Sequence, residues 1–209
     1  MINLKLENFY AGYKNNIVVK NINLSVKSGE WLGIIGPNGS GKSTLIKGLL
    51  GIIKSVKGNI YLKDKDIKIL TNRRIAQTIS FLPQQLNVNL NITVGDLVAL
   101  GRSPYKKFWE FNLNKGDVEK INDSLNLVDM YDLKDNLINQ ISGGQCQRAY
   151  LALALAQDPE ILILDEPTNA LDLKYQIKFL EIIKTLKVNR NISVITILHD
   201  LNLAARYSD

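Results

Sequence analysis

The residues best suited to chemistry lie in a nine-residue run near the N-terminal end of the chain. Residues 36–44 read GPNGSGKST. Gly39 and Gly41 let the backbone amides turn inward around a phosphate, and Lys42 adds a full positive charge. Ser43 is the hydroxyl expected on Mg²⁺. A glycine-rich turn with no ligand would leave this spacing unexplained, so the run predicts a nucleotide-phosphate site. Its binding residues are Gly36, Pro37, Asn38, Gly39, Ser40, Gly41, Lys42, Ser43 and Thr44.

Two adjacent carboxylates follow an apolar run in the second half of the chain. Residues 161–164 read ILIL, which is typical of a buried parallel strand, and Asp165 and Glu166 come directly after it. Neighbouring side chains on a strand point to opposite sides, so we expect these two to do different work. Asp165 suits the shell around Mg²⁺, and Glu166 suits orienting and deprotonating an attacking water.

A second candidate anion site lies at residues 142–145, which read SGGQ. The spacing of Ser142 and Gln145 predicts a capping box at the start of a helix. Gly143 and Gly144 leave the first amides of that helix uncovered, and such amides bind anions. A second phosphate cradle in one chain implies either a second ligand or a second subunit.

The elements that must position these residues alternate between strands and helices. Residues 2–35 are β-prone, residues 44–50 form one helical face before Gly51 ends it, and residues 85–140 read as a mostly helical insertion. The β-prone runs are 17–19, 22–26 and 31–35; further helices are expected near 93–101, 118–128, 142–157 and 179–186, and a buried strand at 192–198. This alternation predicts an α/β fold with a largely parallel sheet and a ligand site at the carboxyl ends of its strands.

The composition fits a folded globular protein. The chain has 209 residues, of which 45% are apolar and 22% charged, and its net charge of +6 suits nucleotide phosphates, nucleic acid or an anionic membrane face. The one cysteine, Cys146, cannot form an intrachain disulfide, so cytosolic residence is the default expectation. The N-terminus does not read as a signal peptide. Apolar runs fall short of the roughly 20 residues that span a bilayer, so any membrane role must come through a partner.

The motifs in this order resemble those of ATP-binding cassette (ABC) ATPases. The resemblance rests on the phosphate run together with SGGQ, Gln147 and Arg148, DEPT at residues 165–168, and Leu171 with Asp172. It covers essentially the whole chain. It implies an α/β P-loop NTPase of ABC type, with a mostly parallel core, an N-terminal antiparallel part and a helical insertion. The resemblance implies an ATP-binding core formed by residues 1–84 and 158–209, and a helical subdomain formed by residues 85–157. The second part of the core is expected to be truncated relative to the family.

The same resemblance assigns further site residues. Tyr13 would stack on adenine, with Tyr10 as a close competitor. Gln84 would reach Mg²⁺ and the attacking water, with adjacent Gln85 as the alternative. His199, directly after the strand 192–198, would contact the γ-phosphate. The loop ending at Asp172 would pass information between two facing subunits. The implied cofactors are ATP and Mg²⁺.

The resemblance also implies an assembly. Two cassettes, in this case a homodimer, would face each other so that each ATP lies between the phosphate run of one and the SGGQ of the other. Membrane permease subunits and a solute-binding protein would complete the system, with this chain in the cytoplasm, peripheral on the inner face of the membrane. No direct nucleic-acid contact is expected. The stretch 106–109, KKFW, would either dock the permease or, with Phe111, fill the small core of the insertion.

Length and two softer segments narrow the class within the family. Chromosome and repair members insert a long coiled coil and translation factors carry two cassettes, neither of which fits in 209 residues. Residues 90–105 and 199–209 resemble importers of iron-siderophores, haem and cobalamin. The alternatives are another ABC importer, or a nucleotide-binding module whose shortened C-terminal part hydrolyses ATP weakly.

Overall fold

The computed structural model describes residues 1–13, 16–53, 55–107, 110, 112–169 and 171–209. The strands are β1 (Ile2–Tyr13), β2 (Asn16–Lys27), β3 (Trp31–Ile34), β4 (Ser55–Leu62), β5 (Lys65–Asp66), β6 (Ile79–Leu82), β7 (Ile161–Asp165) and β8 (Ser193–Ile197). The α-helices are α1 (Lys42–Leu49), α2 (Asn72–Thr78), α3 (Val94–Ala99), α4 (Lys115–Leu127), α5 (Gly143–Ala156), α6 (Leu173–Arg190) and α7 (Leu201–Tyr207). Short 3₁₀ turns lie at Ile67–Ile69, Leu100–Tyr105, Tyr131–Leu133 and Ile138–Gln140.

The N-terminal part is an antiparallel sheet with strand order β2-β1-β4-β5. Its inner face packs on α1, with Phe9 and Ala11 so close to Gly48 that a side chain there would overlap them. The sequence predicted two short strands where the structure has the single strand β2. The separating Asn21 takes a left-handed φ of 51°, and the irregular register opposite it, near Phe9, absorbs the kink without ending the strand.

The second sheet is parallel, with order β3-β8-β7-β6. Every residue of β7 and β8 is buried, because α5 and α6 cover one face of the sheet and α1 with the antiparallel sheet covers the other, and this explains their nearly continuous apolar sequences. The order brings the carboxyl ends of all four strands to one edge. The phosphate run, Gln84, the Asp165–Glu166 pair and His199 each follow one of these strands, so topology alone gathers them. The predicted α/β fold with an antiparallel N-terminal part is confirmed.

The helical insertion separates β6 from β7. Its helices α3, α4 and α5 bury a shared apolar core that includes Leu97, Leu125 and Leu151. The prediction of a mostly helical stretch over 85–140 was too generous, since residues 83–92 and most of 128–142 run as loops and short 3₁₀ turns. The apolar spacing that predicted a helix over 118–128 also places Val118 on its buried face with Ile121 and Leu125, which is wrong because Val118 is 43% exposed.

A buried ion-pair cluster fixes one side of the insertion. The Arg102 Nε donates to Asp117 Oδ1 at 2.9 Å, its Nη1 donates to the Ala156 carbonyl at 2.7 Å, and Lys106 pairs with the other Asp117 oxygen. Burial by itself raises the pKa of Asp117, but bonds from Lys106, Arg102 and the Asn114 backbone outweigh it and lower that pKa to about 2. The 3₁₀ turn carrying Arg102 is thereby tied to α4 and to the end of α5.

The single cysteine lies in the interior of the protein. Cys146 is 1% exposed and packs in the core, where burial raises the pKa of its thiol.

The aromatic residues Phe108, Trp109 and Phe111 lie outside the described residues, so the prediction that segment 106–109 docks the permease stays a prediction. Within the described chain, none of the helices is long and apolar enough to cross a membrane. The division at residues 84 and 157 also stays a prediction.

Candidate nucleotide site

The phosphate loop, residues 36–44, connects β3 to α1. Gly41 occupies the cap position of α1 with a left-handed φ of 96°, and no side chain caps the helix there. A Cβ at Gly41 would lie 3.1 Å from Val18, so both the backbone conformation and the close approach of β2 require glycine. The first amides of α1 therefore have no side-chain acceptor of their own, which is the condition for binding a phosphate.

Lys42 supplies the charge at this loop. Its side chain folds back so that Nζ donates to the carbonyl oxygens of Gly36, at 2.8 Å, and Pro37, at 2.9 Å. The residue is only 8% exposed. The ammonium is thus held inside the curve of the loop, where a phosphate oxygen would meet both the charge and the helix amides.

A cavity of about 180 Å³ lies at the mouth of the loop. It is lined by Val18, Asn38, Gly39, Gly41, Lys42, Ser43, Thr44 and Glu166. Pockets that enclose a whole drug-sized ligand typically measure roughly 300–1,000 Å³, so this one has room for phosphates but leaves much of a nucleotide uncovered. The lining joins the phosphate loop to Glu166, which the sequence had assigned to the same reaction.

Asp165 and Ser43 lie side by side below the cavity. The Ser43 hydroxyl donates to Asp165 Oδ1 at 3.3 Å. Burial raises the pKa of Asp165, and the Ser43 bond opposes this in part. Oxygen ligands of this kind suit Mg²⁺, which usually takes one or two protein oxygens and completes its shell with phosphates and water. Within the described ranges, three or more His, Cys, Asp or Glu side chains nowhere gather as a metal cluster.

Glu166 does not sit on the strand, which corrects the reasoning that separated it from Asp165. β7 ends at Asp165, and Glu166 adopts a left-handed φ of 50°. The two carboxylates therefore diverge because the backbone turns between them, not because strand side chains alternate. A left-handed conformation is uncommon outside glycine, asparagine and aspartate, and such strain tends to persist where a side chain must be aimed.

The Glu166 carboxylate is the meeting point of three loops. Gln84 Nε2 donates to Oε2 at 2.5 Å, Asn169 Nδ2 donates to the same oxygen, and His199 Nε2 lies 2.6 Å from Oε1. The side chain of Glu166 is only 8% exposed. Of the two adjacent glutamines left open by the sequence, Gln84 is the one that makes this contact.

Asn169 is the residue that the sequence reasoning missed. Its backbone amide donates to the Glu166 carbonyl at 3.4 Å, so a tight turn returns its side chain to the carboxylate three positions earlier. Asparagine is a common turn residue, and its position three after Glu166 was the available signal. The contact was not predicted because the resemblance assigned the loop from Asn169 to Asp172 only to communication between two facing subunits.

The SGGQ segment, residues 142–145, lies apart from this cluster. Ser142 Oγ accepts from the Gln145 amide at 3.3 Å and Gln145 Oε1 accepts from the Ser142 amide at 2.8 Å, which confirms the predicted capping box. Asp172 caps α6 beside it by accepting from the Tyr175 amide at 3.2 Å. Both border a cavity of about 400 Å³ that shares no lining residue with the cavity at the phosphate loop.

The two candidate tyrosines differ in place. Tyr13 is 46% exposed at the end of β1, where it pairs with Asn16 at the start of β2. β2 continues from there to Val18, which lines the phosphate cavity. Tyr10 instead pairs with Lys57 on β4, and the Lys57 ammonium lies 5.7 Å from its ring centre. The strand geometry thus favours Tyr13 as the tyrosine beside the phosphate loop.

Comparisons with known proteins agree with this geometry. A family model described as ABC transporter matches residues 19–169. The chain is similar to the petrobactin import ATP-binding protein FpuC of Bacillus anthracis, 38% identical over 96% of this chain and 73% of that protein. It is 37% identical to the Iron(3+)-hydroxamate import ATP-binding protein FhuC of Bacillus subtilis (strain 168), over 100% of this chain and 77% of that protein. A dimeric post-hydrolysis structure of the ATP-binding cassette MJ0796 with ADP and Pi matches with a TM-score of 0.83 and 30% identity, over 98% of this chain and 91% of that one.

Proposed function

Because this chain belongs to the ABC transporter family of ATP-binding proteins, we propose that it is the ATP-hydrolysing motor subunit of an iron-chelate importer. The importer class is supported by the names of FpuC and FhuC, which describe petrobactin and Iron(3+)-hydroxamate import. The observation that carries the motor role is the gathering of Lys42, Ser43 and Glu166 around one phosphate-sized cavity, with Asp165 accepting a hydrogen bond from Ser43.

Binding of ATP would use groups that are already in place. The amides of the phosphate loop would hold the phosphates, and Lys42 would exchange its carbonyl partners for β- and γ-phosphate oxygens. Ser43 and Asp165, with Gln84 approaching from its own loop, would hold Mg²⁺. When bound, Mg²⁺ neutralises charge on the transferred phosphoryl group. Tyr13 would stack on the adenine.

Hydrolysis would depend on Glu166. Its carboxylate lies at the edge of the phosphate cavity, where it can orient a water and take its proton as the water oxygen attacks the γ-phosphorus. The bond from that phosphorus to the β,γ-bridging oxygen breaks, and ADP leaves with the electron pair. His199, next to Oε1, would contact the γ-phosphate. The chain's part is positioning and electrostatics, since no covalent intermediate is required.

A second copy of the chain would complete the site. The SGGQ segment and Asp172 border a cavity that shares no lining residue with the phosphate cavity, so a head-to-tail dimer would place those of one copy against the nucleotide of the other. The dimeric state of MJ0796 with ADP and Pi is a relative's precedent for this arrangement. Closure on ATP and opening after hydrolysis would drive permease subunits from the cytoplasmic face of the membrane, with a solute-binding protein delivering the chelate.

The test is dimerisation of the Glu166→Gln variant, measured by light scattering with Mg²⁺ and either ATP or ADP. Glutamine keeps the shape of the side chain but cannot take the proton, so ATP should stay bound and hold the dimer closed. We expect a dimer with ATP and a monomer with ADP. Glu119→Gln is a matched control on an exposed face of α4 and should remain monomeric. An unchanged hydrolysis rate in Glu166→Gln, or no binding of nucleotide by the parent chain, would contradict the proposal.

A further inference from the structure

Two amide groups compete for one oxygen of the Glu166 carboxylate. Oε2 accepts from Gln84 at 2.5 Å and also from Asn169, while Oε1 lies beside His199. A carboxylate offers about four acceptor positions, two on each oxygen. Three of these are therefore engaged by protein groups, and both positions on Oε2 are filled. Hydrogen bonds to an ionised acceptor are the stronger kind, so this orientation of the side chain is well held.

The Asn169 contact differs from the other two in where its loop leads. Gln84 and His199 come shortly after β6 and β8. Asn169 instead begins the loop that ends at Asp172, and Asp172 lines the cavity beside the SGGQ segment. That loop is fixed separately by Gln176, whose amide donates to the carbonyls of Thr168, at 3.1 Å, and Leu171, at 2.9 Å. Movement of this loop would thus withdraw Asn169 from Glu166 directly.

We infer that Asn169 is a positioning residue that restrains Glu166 in its resting orientation until the loop 169–172 moves. The inference rests on the proposed role of Glu166 as the base. With Oε2 doubly occupied, the carboxylate is held by the protein and is poorly placed to turn towards a water. When the second copy engages this loop, Asn169 withdraws and Oε2 becomes free to accept the proton. The restraint would keep the unassembled chain from wasting ATP.

The first experiment compares Asn169→Ala with wild type in hydrolysis of Mg²⁺-ATP by the purified chain without permease. Loss of the restraint should raise kcat by about three- to tenfold, the range that the net contribution of one ordinary hydrogen bond can supply. KM for ATP should change less than about twofold, since Asn169 does not line the phosphate cavity. Gln176→Ala is the comparison variant, because it loosens the same loop indirectly and leaves the Asn169 side chain present, so its kcat should rise less than that of Asn169→Ala.

The second experiment needs no nucleotide. Urea unfolding of Asn169→Ala, Glu166→Ala and the double variant forms a double-mutant cycle. If the two side chains bond directly, the double variant should lose less unfolding free energy than the sum of the losses in the two single variants, because the same bond is lost only once. Strictly additive midpoints would overturn the inference, as would an unchanged or lower kcat in Asn169→Ala, or an equal rise in Gln176→Ala. A parent chain that does not hydrolyse ATP would instead refute the proposed function, while the cycle would still report on the contact.

Discussion

The phosphate loop and the SGGQ segment both place glycines at the start of a helix, yet the first amides of their helices are in different states. At α1, Gly41 caps the helix without a side chain, Lys42 and Glu166 line the cavity at the open amides, and Asp165 accepts from Ser43 beside them. At α5, Ser142 already accepts from the Gln145 amide, and the cavity beside it is lined by Arg148, Lys178 and Asp172 rather than by Glu166. The first site therefore includes the proposed base. The second supplies amides, a hydroxyl and cations without that base, so we expect it to assist a phosphate that another chain brings.

This contrast predicts that the two sites belong to different halves of one composite site, and variants can break it. Lys42→Ala should stop ATP binding in its own loop, and Ser142→Arg should block the opposite face while leaving that loop intact. Each variant alone should lose hydrolysis by at least about 100-fold, since charge stabilisation in the transition state is the largest single term. A mixture of the two should recover activity, because a mixed dimer contains one site made of both intact halves.

The hydrolysis rate expected of the mixture follows from the fraction of mixed dimers and the number of intact sites in each. Random pairing makes about half of the dimers mixed, each with one of two sites intact, so the steady-state rate should approach roughly a quarter of wild type. Ser142→Ala is the control for loss of the cap alone, which costs about 1 kcal/mol of stability. Failure of the mixture to recover while mixed dimers form would show that the two cradles do not share a nucleotide.

The phosphate loop and the SGGQ segment are also supported by different parts of the fold. A substitution at Asp117 should weaken only the support of the SGGQ segment. The phosphate loop rests on the parallel sheet, whereas the helices under SGGQ are held in part by the Arg102–Asp117–Lys106 cluster. The folded pKa of Asp117, about 2, lies below the ordinary carboxyl value of 3.8, so its ionised form stabilises the fold above that value. Allowing for solvent screening, Asp117→Asn should cost about 1–2 kcal/mol near pH 7.

The pH dependence gives the sign of this effect. The stabilisation is fully present above about pH 4 and is lost as the pH falls towards 2, so the wild-type and Asp117→Asn unfolding curves should converge over that interval. Single-chain nucleotide binding should be unchanged near pH 7, while ATP-driven dimerisation should weaken. A constant difference in stability between pH 5 and pH 2 would contradict the ion-pair explanation.

The smallest expected effect concerns the adenine ring, which the phosphate cavity leaves uncovered and on which Tyr13 would stack. Tyr13→Ala should raise KM for ATP about fivefold, because an aromatic stacking contact contributes roughly 1 kcal/mol. Tyr10→Ala is the matched control, since Tyr10 lies towards β4, and should leave KM unchanged. Measurements with GTP in place of ATP would show whether the ring distinguishes bases. The reverse result, with Tyr10 alone affecting KM, would reassign the adenine contact.

The sequence was most informative where function depends on neighbouring residues. Residues 36–44 could be recognised because phosphate binding, the glycine turn and the helix start all occur within one run. The capping box of Ser142 and Gln145 was predictable for the same reason, since its two partners are three positions apart. Strand order then explains why Gln84 and His199 arrive at the same edge.

The failures arose where tertiary contacts override local pattern. Glu166 was expected on a strand, but its backbone turns left-handed and aims the side chain elsewhere. Val118 has the periodicity of a buried residue on α4, yet α5 covers only part of that helix and leaves it exposed. The contact of Gln84 with Glu166, 82 positions apart, was not predicted, because the resemblance assigned Gln84 to Mg²⁺ and the attacking water, and spacing alone did not distinguish it from Gln85.

The backbone bonds that join the two ends of the helical insertion have a consequence for folding and for evolution. The Val94 amide donates to the Asn136 carbonyl at 2.9 Å and the Ile138 amide donates to the Ile92 carbonyl at 3.0 Å, so the chain enters and leaves this region through a narrow stem. The bonded pairs of the stem are 42 and 46 positions apart, whereas Ile79 and Ile161, paired between β6 and β7, are 82 apart, so closing the stem costs less loop entropy than pairing those strands. We expect changes of length between residues 94 and 136 to be tolerated best where they spare the faces of α3 and α4 that pack on α5. The stem thus lets this region diversify while the parallel sheet keeps its register.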